Sequence, residues 1–258
     1  MADLGGGGRL TFAVPDQLSP ALVVVGRLID PEYDLLRRIA QPGWVDWDIG
    51  AAIGQYTVFA SSLAGQRVVA VEPNPALRSM LERNISLNRA TDRTQVEACA
   101  ISDSRHDALF SAPGSPFVGQ LGQTPVEDAI CVPALTLTDL ADRHGDRVDV
   151  LKVNVAGYEA AVLRGGLPLF RDGSVGMAIV LVGDEVVPVL RQIAGFGYAC
   201  CFFEPEQAIL NELPVIDRAA LRHPGSPARH VLLLRRDLLA GPVDQGITVD
   251  SAHSGDHR

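Results

Sequence analysis

The sequence predicts an α/β chain built on a mostly parallel sheet with helices on both faces. Two observations carry this. Short Val- and Ile-rich runs alternate with helical patterns, and no internal repeat interrupts them, which is the order that βαβ units produce. The chain has 258 residues, 47% of them hydrophobic, enough for one α/β domain with a large core.

The elements follow in order. Pro31 to Ala40 (PEYDLLRRIA) reads as a helix, with Asp30 as its N-cap and Pro31 at its first position. Trp44 to Gly50 (WVDWDIG) is a strand and turn, Gly54 to Leu63 a helix, and Arg67 to Pro73 the second strand. Pro75 to Leu87 is a helix with Leu77, Met80, Leu81 and Ile85 on one face. Gln95 to Ser102 is the third strand, Val148 to Val155 the fourth and Val175 to Gly183 the fifth. A helix over Val187 to Phe196 leads to a strand near Tyr198 to Phe203. Ala228 to Arg236 (ARHVLLLRR) closes the sheet as a late antiparallel strand. Ser111 to Ala129, rich in Gly, Pro, Ser and Gln, is too long for an ordinary connection. The expected organisation is an N-terminal extension over 1–42 with a short helix, a main domain over 43–238, and a disordered tail over 239–258.

Composition narrows the function. A net charge of −9 argues against nucleic acid as a partner, because a phosphate backbone needs a basic face. Lys152 is the only lysine, and arginine supplies the remaining positive charge. The four cysteines form no CxxC pair and no zinc-site spacing, so no metal is expected and Cys99, Cys200 and Cys201 read as reduced core thiols. His253 and His257 read as solvated tail residues. MADLGGGGRLTF lacks the apolar run of a signal peptide, and Ala21 to Gly26 (ALVVVG) is too short to cross a bilayer. A cytoplasmic location is expected, with no membrane span; oligomeric state is left open and a homo-oligomer is compatible. No GxSxG elbow points to a hydrolase.

Asp48 to Gly54 (DIGAAIG) lies between a strand and a helix, where open α/β sheets bind ligands. Gly50 permits a tight turn and Gly54 a close contact at the helix start. Glu72 ends the second strand about 20 residues later, where a carboxylate can accept from both hydroxyls of a ribose. The spacing is GxxxG rather than GxGxxG, and Asp48 precedes it. A carboxylate there suits a ligand with a positive amino-acid end rather than a pyrophosphate, favouring S-adenosylmethionine over NAD.

In order, DIGAAIGQYTVFAS, EPNPALRSMLERNISLN, AISDS, LTLTDL and LKVNVAGYEAAVLRGG resemble the FkbM-type S-adenosylmethionine-dependent methyltransferases, over about Trp44 to Gly166. The resemblance implies a Rossmann-like, seven-stranded class I methyltransferase fold. It implies methylation of hydroxyl groups on sugars or natural-product scaffolds, with a small-molecule acceptor. It places Asp48 and Gly50 against the methionine part of the cofactor, Glu72 on the ribose and Asn74 near the adenosine. It sets Ser102 or Asp103 by the adenine, and Gln55 and Tyr56 at the opening of the adjoining helix.

Two departures from the family pattern matter. Its turn usually reads GANIG, and Ala52 stands here for the polar residue. Its fourth-strand segment usually reads KIDVEG, and here Asn154 and Ala156 replace the two carboxylates. Asn154 can orient an acceptor but cannot take its proton. The remaining candidates for a base are Glu159, His144, Asp103 and His106. Three readings stand: an O-methyltransferase, a cofactor-binding scaffold without turnover, and a non-methylating enzyme such as a cyclase on the same fold.

Overall fold

The computed structural model describes residues 2–3, 8–11, 30–63, 65–111, 120–122, 129–221, 230–239 and 246–250. Parts of the expected Ser111–Ala129 loop, the 21–26 run, residues 222–229 and the tail histidines lie outside that set.

The main sheet contains β1 (Val45–Ile49), β2 (Arg67–Val71), β3 (Thr94–Glu97), β8 (Val148–Val153), β9 (Val175–Leu181), β10 (Tyr198–Glu204), β11 (Ile209–Glu212), β12 (His230–Arg235) and β13 (Thr248–Asp250). A smaller sheet holds β4 (Ala100–Ile101), β5 (His106–Ser111), β6 (Gln120–Gly122) and β7 (Ile130–Leu135). Across the main sheet the order is β13-β11-β10-β12-β9-β8-β1-β2-β3. The five strands β9, β8, β1, β2 and β3 are parallel, and β12 runs antiparallel to both β9 and β10. Strand order reverses between β1 and β8, the place where an open α/β sheet offers its ligand crevice.

Seven of these strands are the expected ones, but β12 lies between β9 and β10 rather than closing the sheet, and β11 and β13 are added at one edge. Part of the expected disordered tail is therefore strand: β13 pairs with β11, and Ile247 beside it is only 1% exposed. An apolar anchor and a free sheet edge order this short piece. The expected third strand is broken after Glu97, and its second half, β4, joins the small sheet by pairing with β7.

Among the described residues seven helices flank the main sheet: α1 (Glu32–Ile39), α2 (Gln55–Ser62), α3 (Pro75–Leu87), α4 (Leu137–His144), α5 (Glu159–Gly165), α6 (Leu167–Arg171) and α7 (Val187–Ala194). One face packs Trp47, Ile49, Leu151 and Val180 against α4 to α7. The other packs Val68, Val150, Met177 and Ile179 against α1 and α2. Tyr33, Leu35, Leu36 and Ile39 of α1 are buried there, each contributing about 2 kcal/mol of apolar burial. Tyr33 meets Phe59 of α2 edge-on, with ring centroids 4.6 Å apart. Pro31, not Asp30, occupies the cap position of α1, and no side chain caps it. Asp30 instead lies toward His230 on β12.

Candidate active site at the β1–β8 switch point

Charged residues are rare in buried parallel strands, yet β1 and β8 bury three. Asp46 and Asp48 are each 1% exposed and Lys152 is 6% exposed. The register pairs Asp46 with Val150 and Asp48 with Lys152. All therefore face α1 and α2, because residues two apart share a face. Thr57 Oγ1 on α2 donates to Asp48 Oδ2 at 2.6 Å, while Asp48 Oδ1 has no hydrogen-bond partner among the described residues. Burial raises the Asp48 pKa, opposed by Lys152 and the Thr57 bonds. Lys152 Nζ stands 5.6 Å from the Tyr56 ring centroid. A buried carboxylate oxygen with no donor within the protein offers an acceptor to a cationic or N–H-bearing ligand.

The glycine turn abuts the end of β8. Gly50 (φ 83°) and Ala51 donate their N–H groups to Val71 O, both at 3.0 Å. A Cβ on Gly50 would fall 2.1 Å from the Asn154 carbonyl oxygen. Asn154 N donates to Ile49 O at 3.0 Å. Only glycine allows the two strand ends to close in this way. Gly54 has a different task, since its Cβ would meet Leu81 Cδ1 at 2.7 Å, so it lets α2 pack on α3. Ala52 adopts φ 50°, a conformation that asparagine tolerates better than alanine.

Glu72 locks this turn to the end of β2. Its Oε2 accepts from Ala52 N and its Oε1 from Asn74 N, both at 2.8 Å. Burial raises its pKa, opposed by these two bonds. Each carboxylate oxygen retains a lone pair for a further donor. Asn74 caps α3 by accepting from Ala76 N at 3.0 Å.

The loop after β8 explains Glu159. Its Oε1 accepts from Val155 N and its Oε2 from Gly157 N, both at 2.9 Å, and the residue is 2% exposed. It thereby fixes the left-handed pair Ala156 (φ 52°) and Gly157 (φ 106°). Such a carboxylate organises backbone rather than waiting for a proton. The half-buried Asn154 side chain shows no hydrogen bond among the described residues.

Other sequence candidates disperse. Tyr56, expected beside the cofactor, turns into the core and donates to Asp46 Oδ1 at 2.7 Å. Gln55 donates to the Tyr33 hydroxyl at 3.3 Å. Ser102 is buried, and its carbonyl lies where a Cβ on Gly165 would come within 2.2 Å. Asp103 is exposed and faces Arg164 at 3.5 Å. His144 ends α4 rather than lying in a turn. Its Nδ1 meets Gln95 Oε1 at 2.7 Å and its Nε2 meets Glu97 Oε1 at 2.8 Å, so both ring nitrogens are engaged. His106 is exposed on β5, against Ser104 O. Sequence reading missed Asp30, Glu32 and His230, which meet on the α1 side although 198 positions separate Glu32 from His230.

A model of the Methyltransferase FkbM domain matches residues 48–199, more than half of the chain. The chain belongs to the FkbM methyltransferase family. It is an S-adenosylmethionine-dependent methyltransferase, and its seven-strand order within the larger sheet agrees with the fold this family implies. No curated protein matches its sequence. Solved structures similar to this FkbM chain include an rRNA methylase from Streptococcus thermophilus, at 11% identity and TM-score 0.48, covering 79% of this chain and 93% of that one. A precorrin-6y C5,15-methyltransferase from Geobacter metallireducens is 17% identical at TM-score 0.43, covering 79% and 87%. The fibrillarin of Aeropyrum pernix, solved with natively bound S-adenosyl-L-methionine, is 14% identical at TM-score 0.42, covering 78% and 72%. The family assignment rests on the domain match, not on these distant likenesses.

Proposed function

We propose that this FkbM chain methylates an oxygen of a small-molecule or glycosylated metabolite, with the cofactor held at the β1–β8 switch point. The observation that carries the reading is the buried, unpartnered Asp48 Oδ1 at the end of β1. Asp48 accepts from the cationic amino group of the cofactor. Glu72 accepts from ribose hydroxyls through the lone pairs that Ala52 and Asn74 leave free. Asn74 and Ser102 sit at the ends of the neighbouring strands, on the adenosine side. Bound S-adenosylmethionine supplies a methyl group already activated by its sulfonium charge.

The chain must then align the acceptor, exclude water and take up the proton of an alcohol. Asn154 serves the first need, since its amide can both donate to and accept from an acceptor hydroxyl. It cannot serve the last. Neither can Glu159, whose two oxygens hold the loop, nor His144, whose two nitrogens hold Gln95 and Glu97. A net charge of −9 disfavours a polyanionic acceptor such as RNA.

The replaced carboxylates at Asn154 and Ala156 favour one second reading, a cofactor-binding scaffold without turnover. Production of S-adenosylhomocysteine from S-adenosylmethionine, followed over a panel of hydroxylated sugars and phenols, separates the two. The native chain is expected to turn over with at least one acceptor. Turnover only after Asn154→Asp with Ala156→Glu would establish the scaffold reading instead.

A further inference from the structure

We propose that Asp30, Glu32 and His230 form a binding site for a divalent first-row cation, Mn2+ or Zn2+, on the acceptor side of the sheet. The ligand atoms of these three side chains lie within 4.8 Å of one another. Glu32 is 3% exposed and His230 9% exposed, while Asp30 sits at the rim. His230 Nδ1 lies 2.5 Å from Glu32 Oε1 and 4.0 Å from Asp30 Oδ1.

The short contact is not oriented as a hydrogen bond. Among the described residues Glu32 Oε1 has no hydrogen-bond donor despite its depth, and His230 Nε2 on the far side of the ring has no hydrogen-bond partner. A protonated imidazole serving only as a counter-ion would aim its Nδ1–H at that oxygen. Here the two ligand atoms stand at ion-pair distance, with no hydrogen bond between them. Metal–nitrogen and metal–oxygen distances near 2.1 Å place two ligand atoms about 3.0 Å apart in an octahedron and about 3.4 Å apart in a tetrahedron. A cation thus needs the imidazole and carboxylate to part by roughly 0.5 to 0.9 Å. One imidazole with two carboxylates suits Mn2+ or Zn2+ better than a thiophilic ion. Three protein ligands leave at least one coordination position open.

The position ties the site to the reaction centre. His230 pairs with Leu181 on β9, two residues beyond Ile179, which pairs with Lys152 on β8. His230 therefore stands level with the end of β8 and two strand spacings, about 10 Å, from it. The buried Tyr33 links the two regions: its hydroxyl bonds Gln55, and Asp30, Glu32 and Asp48 all act on it electrostatically. On the reading above of an oxygen-bearing acceptor, a cation here offers that oxygen a Lewis-acid contact. Coordination would lower the pKa of that hydroxyl, so that its proton could leave to water without the carboxylates that Asn154 and Ala156 replace.

Calorimetric titration of the chelator-treated full chain with Mn2+ and, separately, Zn2+ tests the site, without cofactor or acceptor. One equivalent of at least one of these ions is expected to bind. Glu32→Gln and His230→Asn should each weaken that binding at least tenfold, with circular dichroism confirming the fold. Asp34→Asn, an exposed carboxylate on the same helix, should leave it unchanged. Absence of stoichiometric binding by the native chain, or unchanged binding in either folded site variant, overturns the proposal. Because no cofactor is present, failure here leaves the methyltransferase reading intact, and a failure to bind S-adenosylhomocysteine would leave the cation site intact.

Discussion

Asp46 lies two residues before Asp48 on a strand whose five residues are all buried. Burial pushes its carboxyl up to about 7, opposed by the Tyr56 hydroxyl. The Gln66 amide, turned so that its nitrogen faces Ala60 O and Asp46 Oδ2 at 3.1 and 2.9 Å, adds a second donor. The folded chain therefore keeps a proton here that the unfolded chain releases near pH 4. Stability conferred by this group is present at low pH and is lost as pH rises from about 4 to about 7. A carboxyl moved from 3.8 to about 7 corresponds to at most roughly 4 kcal/mol. Urea denaturation between pH 5 and 8 should show the native chain losing stability relative to Asp46→Asn. Parallel curves would contradict the assignment. Asp48 and Glu72 shift in the same direction, so only the difference between the two proteins isolates Asp46.

Among the elements, the loop after β8 shows most clearly how structure changes a sequence reading. Glu159 follows the strand by one helical step and reads there as a candidate base or a helix-dipole partner. Its actual work is to accept the Val155 and Gly157 N–H groups. Charge-assisted bonds of this type are worth about 1.5–3 kcal/mol each. Glu159→Ala should therefore cost about 3 kcal/mol or more in chemical denaturation, and Glu159→Gln less. Unchanged stability in the alanine variant would return Glu159 to the list of bases. The strands β2 and β9 are legible because their runs are rich in Val and Ile, β1 and β8 because Val, Trp, Ile and Leu frame their charges, and the helix α3 because its apolar residues recur on one face. Asp48, Gly50 and Glu72 stand at the strand ends and turn where the sequence puts them, and their role there is the proposal above. The small sheet is not legible: β7 (ICVPAL) contains Pro133, which argues against an internal strand, yet it pairs on both sides. Tyr56, Gln66 and Glu159 escape for another reason. Their partners are fixed by tertiary geometry, and a buried carboxylate looks like a solvated one in sequence.

At the scale of the whole molecule, two kinds of addition surround the seven-strand core. Edge strands β11 and β13 extend the sheet beyond β10. Helix α1 seats Tyr33, Leu35, Leu36 and Ile39 in the same core as β8 and β9. Through α1 the N-terminal segment brings Asp30 and Glu32 to His230. Residues 198 positions apart in the sequence meet only because α1 lies across the face that β12 completes. The polar interior thus runs from Asp48 and Lys152, past Tyr33, to the carboxylates at the start of α1. On the proposed reading, cofactor holding falls to β1 and β2 and acceptor handling to β8 and α1.

The most direct test of this account is calorimetric titration of the purified chain with S-adenosylhomocysteine, native and Asp48→Asn side by side. The expected result is one site per chain in the native protein. Loss of a charged acceptor should weaken it in the variant by about 10- to 100-fold, with circular dichroism unchanged. No binding by the native chain, or equal affinity in the folded variant, would contradict the placement of the cofactor on Asp48.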